Sequence, residues 1–366
     1  MKVALVYDRV NKWGGAERVL LVLHKLFPKA SLYTSVYDKK KAPWASVFDV
    51  KTSFLQSFPF ANHHEFYAVL MPIAFESFNF NEFDLVISVT SEAAKGIITK
   101  PQTKHICYCL TPTRYLWSGY AEYFKNPLLK FFSMPVVWYL KFWDKIACSR
   151  PDKFIAISKE VKTRIEKYYG RESAVVYPPA EIQNPIEIQN SEKIKDDYFL
   201  IVSRLVSYKK IDLAIKAFNE LKLSLKIVGV GSEEGSLKKI AGSTIEFLGN
   251  LTDKELVRYY SGCRALVFPG IEDFGLTILE AQSFGKPVIA FKGGGALETI
   301  IEGKTGIFFD ESNVESLIKT IKQFSDLKIN SNDCFKQAEK FSFNQFKRQF
   351  TEEILNQFPD DIKKEK

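Results

Sequence analysis

The chain is predicted to be an α/β protein made of two doubly wound, mainly parallel-sheet domains. Three observations predict this. Short continuous apolar runs alternate with helical patterns through the second half, and the same alternation opens the first half. An aperiodic, proline-containing stretch separates the two. At 366 residues the chain also exceeds what one hydrophobic core commonly serves.

Taken in order, "KVALVY" (2–7) reads as a buried strand that leads through Trp13-Gly14-Gly15-Ala16-Glu17 into a helical pattern ending near Phe27. "FDLVISV" (83–89), "KHICYCL" (104–110) and "KFIAIS" (153–158) read as further strands, the last leading into a helix over Lys159 to Tyr169. The first domain is placed at 1–180, closing on "VVYPPA" (175–180), with 181–197 as a linker. The second domain, 198–340, carries strands at "YFLIVS" (198–203), "LKIVG" (225–229), "IEFLG" (245–249), "ALVFP" (265–269), "PVIAF" (287–291) and "GIFF" (306–309). Helices are expected between them at 212–221, 233–241, 253–261, 275–284 and 296–301. Thr252 and Glu255 have the spacing of a capping box. The segment 341–366 reads as a C-terminal helix, able to return to the first domain, and a tail.

Composition narrows the function classes. A hydrophobic share of 46% and a charged share of 26% describe a globular chain, and the net charge of +8 suits an anionic partner. Five cysteines lack metal-ligand spacing and read as reduced thiols. The four histidines, His24, His63, His64 and His105, form no metal constellation, and His105 reads as a core residue of a strand. "MKVALVYDRV" meets Asp8 and Arg9 too soon for a signal peptide, and no run approaches the roughly 18 apolar residues of a membrane span, so a cytoplasmic protein is expected. The stretch 125–150 mixes aromatics with five basic residues; it reads as a core helix with lysines reaching water, the alternative being a helix at a membrane interface. No nucleic-acid-binding module is recognisable.

The candidate site residues follow predicted strands, where open α/β sheets bind ligands. In "GIEDFGLTILEAQSFGKPV" (270–288), Glu272 stands just before a helix and Glu280 just inside it. Free N–H groups at Phe274-Gly275-Leu276 suit an anion, and Gly275 permits close approach. Glu280 lies about 7.5 Å further along the helix, in reach of a ribose diol. Helix capping explains Glu272 equally well. The Asp-Phe-Gly triplet also occurs in protein kinases, whose other signatures are absent. In "VSRLVSYKK" (202–210), Arg204 and Lys209 are spaced to aim two cations at one diphosphate, or to be solvated surface charges. "WGGAER" (13–18), "GVGSEEGS" (229–236) and "FKGGGALET" (291–299) are glycine turns that either contact phosphate or sugar or merely turn the chain.

Together these pieces resemble the retaining GT-B glycosyltransferases of family 4, the glycosyl transferase group 1 proteins. The E-x-F-G-x-x-x-x-E signature is matched by Glu272 to Glu280, R-L-x-x-x-K by Arg204, Leu205 and Lys209, and the N-terminal glycine loop by "GGAER". "TSFLQSFPF", "MPIAFE", "HICYCLTPTRYLW" and "YKKIDLAIKAF" further resemble bacterial mannosyltransferases of O-antigen and related polysaccharides. Two positions depart: Leu110, where relatives commonly have histidine, and Lys210, where many outside that subgroup have glycine.

The resemblance implies GT-B architecture, two Rossmann-like domains facing across a cleft. It implies a nucleoside diphosphate sugar bound mainly by the second domain and a glycan or lipid-linked acceptor held mainly by the first. Glu280 would hold the ribose. Arg204 and Lys209 would stabilise the leaving diphosphate, helped by Gly15 and by the helix start at Phe274, Gly275 and Leu276, while Glu272 would contact the sugar. No cofactor and no metal is implied, and the inner membrane face is an expected contact. Two other classes share the pattern: a non-catalytic sugar-nucleotide-binding protein, and an NAD-dependent oxidoreductase, for which the acidic ribose ligand after a second strand is not found.

Overall fold

The computed structural model describes residues 1–59, 64–124, 126–180 and 197–358. All but the last residue of the expected linker, together with His63, Lys125 and the tail after Phe358, lies outside them. The chain divides into two compact units, one of Met1–Pro178 joined by the segment from Phe346 on, the other of Pro179–Gln345.

In the first unit, β1 (Val3–Tyr7), β2 (Ser31–Thr34), β3 (Val50–Thr52), β4 (Leu85–Thr90), β5 (Lys104–Cys109), β6 (Lys153–Ala156) and β7 (Ser173–Val175) form one sheet in the order β3-β2-β1-β4-β5-β6-β7. Every pairing is parallel. Residues of β1 and β4 are buried throughout, so both faces are covered and their apolar runs are continuous. The sequence reading missed β2 and the two edge strands β3 and β7. Each has only three or four residues, and β7 ends at Val175, inside the stretch read as domain closure.

In the second unit, β8 (Phe199–Val202), β9 (Leu225–Val228), β10 (Ile245–Gly249), β11 (Leu266–Phe268), β12 (Val288–Phe291) and β13 (Gly306–Phe309) follow the order β10-β9-β8-β11-β12-β13, again all parallel. Alternation along each strand splits the core in two. Phe199, Ile201, Ile227 and Val267 pack with the helices Ile211–Leu221 and Val314–Asp326, and Leu200, Val228 and Leu266 pack with Leu276–Ser283. The capping box forms as read, Thr252 and Glu255 each bonding the other's backbone N–H. The strand order reverses direction between β8 and β11, which puts the ligand-binding edge of a doubly wound sheet at their carboxyl ends.

The helix Pro127–Ala147 corrects the core reading of its segment. One face is buried, through Val137, Leu140, Trp143 and Ala147, while Leu128, Phe131, Phe132, Trp138 and Phe142 are exposed. A buried polar knot fixes the inner face. Asp144 pairs with Lys95 at 2.5 Å and accepts from Thr113 Oγ1 at 3.0 Å and Trp117 Nε1 at 2.7 Å. Burial opposes charge on Lys95, but the Asp144 carboxylate outweighs it and holds the ammonium above the ordinary lysine pKa.

His105 lies in β5, fully buried, its Nε2 2.8 Å from Ser88 Oγ. Burial, reinforced by Arg150 and Arg171, lowers its pKa to about 3. The unfolded chain binds that proton near pH 6.5 and the folded chain does not, so stability falls as pH drops below 6.5 toward the folded value. Acidification from about pH 6 to pH 5 is expected to cost the wild type about 1 kcal/mol through this group. Chemical denaturation of His105→Gln at both pH values checks it; an equal loss in both proteins would remove His105 from the account.

Candidate functional site

The site grows from three loops that leave the carboxyl ends of β8, β9 and β11, and a fourth after β12. Glycines let these loops touch backbone to backbone. A Cβ on Gly229 would lie 1.9 Å from Ser203 O, and one on Gly231 2.2 Å from Leu205 O. The loop after β9 therefore braces the turn that carries Arg204, with Leu205 N donating to Val230 O at 3.0 Å. Gly270 presses on the next turn in the same way, since a Cβ there would lie 2.8 Å from Lys209 Cα. The loop after β12 closes on the opening glutamate: Gly295 N donates to Glu272 O at 2.9 Å, and a Cβ on Gly295 would reach within 2.2 Å of Phe274 Cα. The glycine turns at 229–231 and 293–295 are thus packing devices as well as turns.

This bracing brings Lys209 and Glu272 together as an ion pair, with side chains 10% and 26% exposed. The Lys209 ammonium also lies 5.1 Å from the centre of the Tyr208 ring. Arg204 is exposed and donates from Nη2 to Tyr208 Oη at 2.7 Å, so Tyr208 stands between the two cations. Phe274 is buried and packs its ring against Phe341, anchoring the loop below Glu272. Gly275 takes φ 86°, a left-handed conformation, and the helix Leu276–Ser283 starts directly after it. Glu280, in the second turn, accepts from Tyr260 Oη at 2.8 Å; Tyr260 is itself held by stacking on Phe284.

Arg204, Lys209, Glu272, Phe274, Gly275, Leu276 and Glu280 all lie along one edge of the second unit's sheet. Gly15 is carried by the first unit, as the first residue of the helix Gly15–Leu26 after β1. There Glu17, buried, accepts from Tyr7 Oη at 2.6 Å and shapes the turn around Gly14. Leu110 directly follows β5, half-buried, its N–H bonded to Thr90 O. Lys210 has φ 54°, so a position where glycine would be unstrained carries a lysine in the left-handed region. Sequence reasoning passed over Tyr208 and Tyr260. Tyr208 could have been found by its place inside the Arg204–Lys209 spacing. Tyr260 gives no local signal, because its contact with Glu280 is made by the fold.

This edge lies within residues 183–341, which match the family described as glycosyl transferases group 1. Relatives agree with it. An uncharacterized glycosyltransferase of Methanocaldococcus jannaschii is 28% identical over 187 residues, 50% of this chain and 52% of its own. The O-antigen chain mannosyltransferase C of Escherichia coli is 27% identical over 203 residues, 52% of this chain and 53% of its own. The chain spans about half the length of the curated relatives it matches. Among solved structures, the Anabaena protein HepE in complex with UDP is similar with a TM-score of 0.72 at 19% identity, over 97% of this chain and 100% of its own. The lipopolysaccharide outer core galactosyltransferase WaaB is similar with a TM-score of 0.68 at 19% identity, over 98% of this chain and 100% of its own. These structures share the fold, two Rossmann-like units of the GT-B type, and the matched residues 183–341 fall in the second unit.

Proposed function

We propose that the protein moves a glycosyl group, mannose by preference, from a nucleoside diphosphate sugar to a glycan or lipid-linked oligosaccharide, with retention and without a metal. The observation that carries this reading is the Lys209–Glu272 pair set at the start of the helix that bears Glu280. The E. coli O-antigen mannosyltransferase relative, and a GDP-mannose-dependent mannosyltransferase of Mycolicibacterium smegmatis at 25% identity, support mannose and surface glycans.

In this reading Glu280 accepts hydrogen bonds from the ribose diol beside the one it accepts from Tyr260 Oη. The N–H groups after Gly275 receive the phosphates, where the helix dipole favours negative charge. Lys209 passes from Glu272 to the departing diphosphate, joined by Arg204, so two cations neutralise the charge as it develops. Glu272, relieved of its cation, turns to the sugar hydroxyls. The bond from the anomeric carbon to the diphosphate oxygen breaks as the acceptor oxygen bonds to the same face. The acceptor's proton leaves on the diphosphate.

Thermal unfolding with GDP, UDP, ADP, GDP-mannose and NAD, on the wild type and Glu280→Ala, tests the site. Ligand at about a hundred times its Kd adds about 2.7 kcal/mol, enough for a visible rise in Tm. A rise with one nucleoside diphosphate, lost in Glu280→Ala, is expected. A rise with NAD alone would overturn the glycosyl-transfer reading.

A further inference from the structure

Tyr208 has no part in the transfer described above, yet it touches both cations on which that transfer rests. It sits half-buried in the short turn Ser207–Lys209. The turn is closed by its own backbone, with Lys209 N donating to Val206 O at 3.0 Å and Lys210 N donating to Ser207 O at 3.2 Å. Gly270 packs hard against it, since a Cβ there would lie 2.9 Å from Tyr208 O. The backbone that carries Tyr208 is therefore fixed before any ligand arrives.

The two cations use different parts of this side chain, and they need it to different degrees. Lys209 is buried, paired with Glu272, and has the Tyr208 ring as a second neighbour. Arg204 is exposed, and its guanidinium has the Tyr208 hydroxyl as its one hydrogen-bond partner among the described residues. That bond uses a single N–H of the guanidinium fork, and the others stay able to take a phosphate oxygen pairwise. An exposed arginine without such a tether spreads over many rotamers and must give them up on binding. The hydroxyl thus fixes where Arg204 stands relative to Lys209, while the ring alone serves Lys209. Two cations at a set separation suit two linked phosphates; one fixed cation and one wandering cation suit a single phosphate.

We propose that Tyr208 is a positioning residue that makes this edge select a nucleoside diphosphate over the monophosphate, acting through Arg204. The inference rests on the donor site proposed above. Tyr208 itself need not touch the ligand.

Titration calorimetry of the full chain with GDP and GMP, UDP and UMP, and ADP and AMP tests it, on the wild type, Tyr208→Phe, Arg204→Ala and the double variant. The phenylalanine keeps the ring and removes only the hydroxyl, so an unchanged Tm is expected. The wild type is expected to prefer the diphosphate of one base. Tyr208→Phe should weaken that diphosphate about fivefold and leave the monophosphate within about twofold. Arg204→Ala should weaken the diphosphate about tenfold, and the double variant should be no weaker than Arg204→Ala, because the hydroxyl acts only through the guanidinium. A double variant in which the two losses multiply would overturn the proposal, since Tyr208 would then act independently of Arg204. Equal weakening of both nucleotides by Tyr208→Phe would reduce the residue to a structural role and overturn it too. Wild-type selectivity that survives in Tyr208→Phe would sink this inference and leave the donor site standing. A wild type that binds no diphosphate would remove the donor site and this inference with it.

Discussion

Lys209→Ala is expected to lower kcat/KM for the sugar donor by about 10²–10³-fold, the usual effect of removing one preorganised group that stabilises charge on a leaving atom. The expectation rests on placement. The Lys209 side chain is 10% exposed, its ammonium is shared between Glu272 and the Tyr208 ring, and its backbone is pressed by Gly270. Such a cation loses little freedom when it turns to a diphosphate. Most of the loss should fall on kcat, because the charge that Lys209 meets is largest as the bond breaks. Steady-state kinetics of Lys209→Ala beside Glu272→Gln checks this. A Lys209→Ala protein with unchanged kcat/KM would remove the residue from the leaving-group site.

Gly295→Ala is expected to destabilise the second unit by about 3 kcal/mol and to lower its Tm by several degrees. The new methyl would have to share space with Phe274 Cα at 2.2 Å and Phe274 O at 2.4 Å, both backbone atoms that no rotamer change can move. Relief requires the loop of Glu272 to shift, so nucleoside diphosphate binding should weaken with stability. Gly235→Ala supplies the contrast. That position lies in the helix Glu234–Ile240 with nothing within 4 Å of a Cβ, and alanine there should add about 0.5–1 kcal/mol. Paired thermal melts decide the matter. Equal Tm values for the wild type and Gly295→Ala would show that the loop yields without cost.

The fold was legible in the sequence wherever strands are buried on both faces, because β1, β4, β5, β8, β11 and β12 then show as continuous apolar runs. Short edge strands such as β3, at three residues, carry too little pattern to be seen. Candidate site residues were legible for a related reason: each follows a strand end, where the chain must turn toward ligand. What the sequence could not show is pairing across loops. Lys209 and Glu272 were read as a diphosphate cation and a sugar ligand, but they meet each other, and only the glycine contacts of the folded chain bring them together. The helix Pro127–Ala147 was ambiguous because aromatics and lysines at helical spacing describe a core helix and a surface one equally well. Burial of Val137, Leu140 and Trp143 on one side only is a tertiary fact.

The first unit is discontinuous, and this bears on how the protein is made. Its core side chain Tyr108 packs against Phe346 and Phe350, and Lys153 pairs with Glu353, all contributed after the whole second unit has been translated. At about 5–20 residues per second, the part synthesised first waits on the order of ten seconds for its last helix. The uninterrupted segment Pro179–Gln345 has no such debt to later sequence and can complete its sheet on the ribosome. Order of synthesis and order of folding are therefore reversed: the amino-terminal unit is begun first and finished last, with Tyr108 uncovered in the interval.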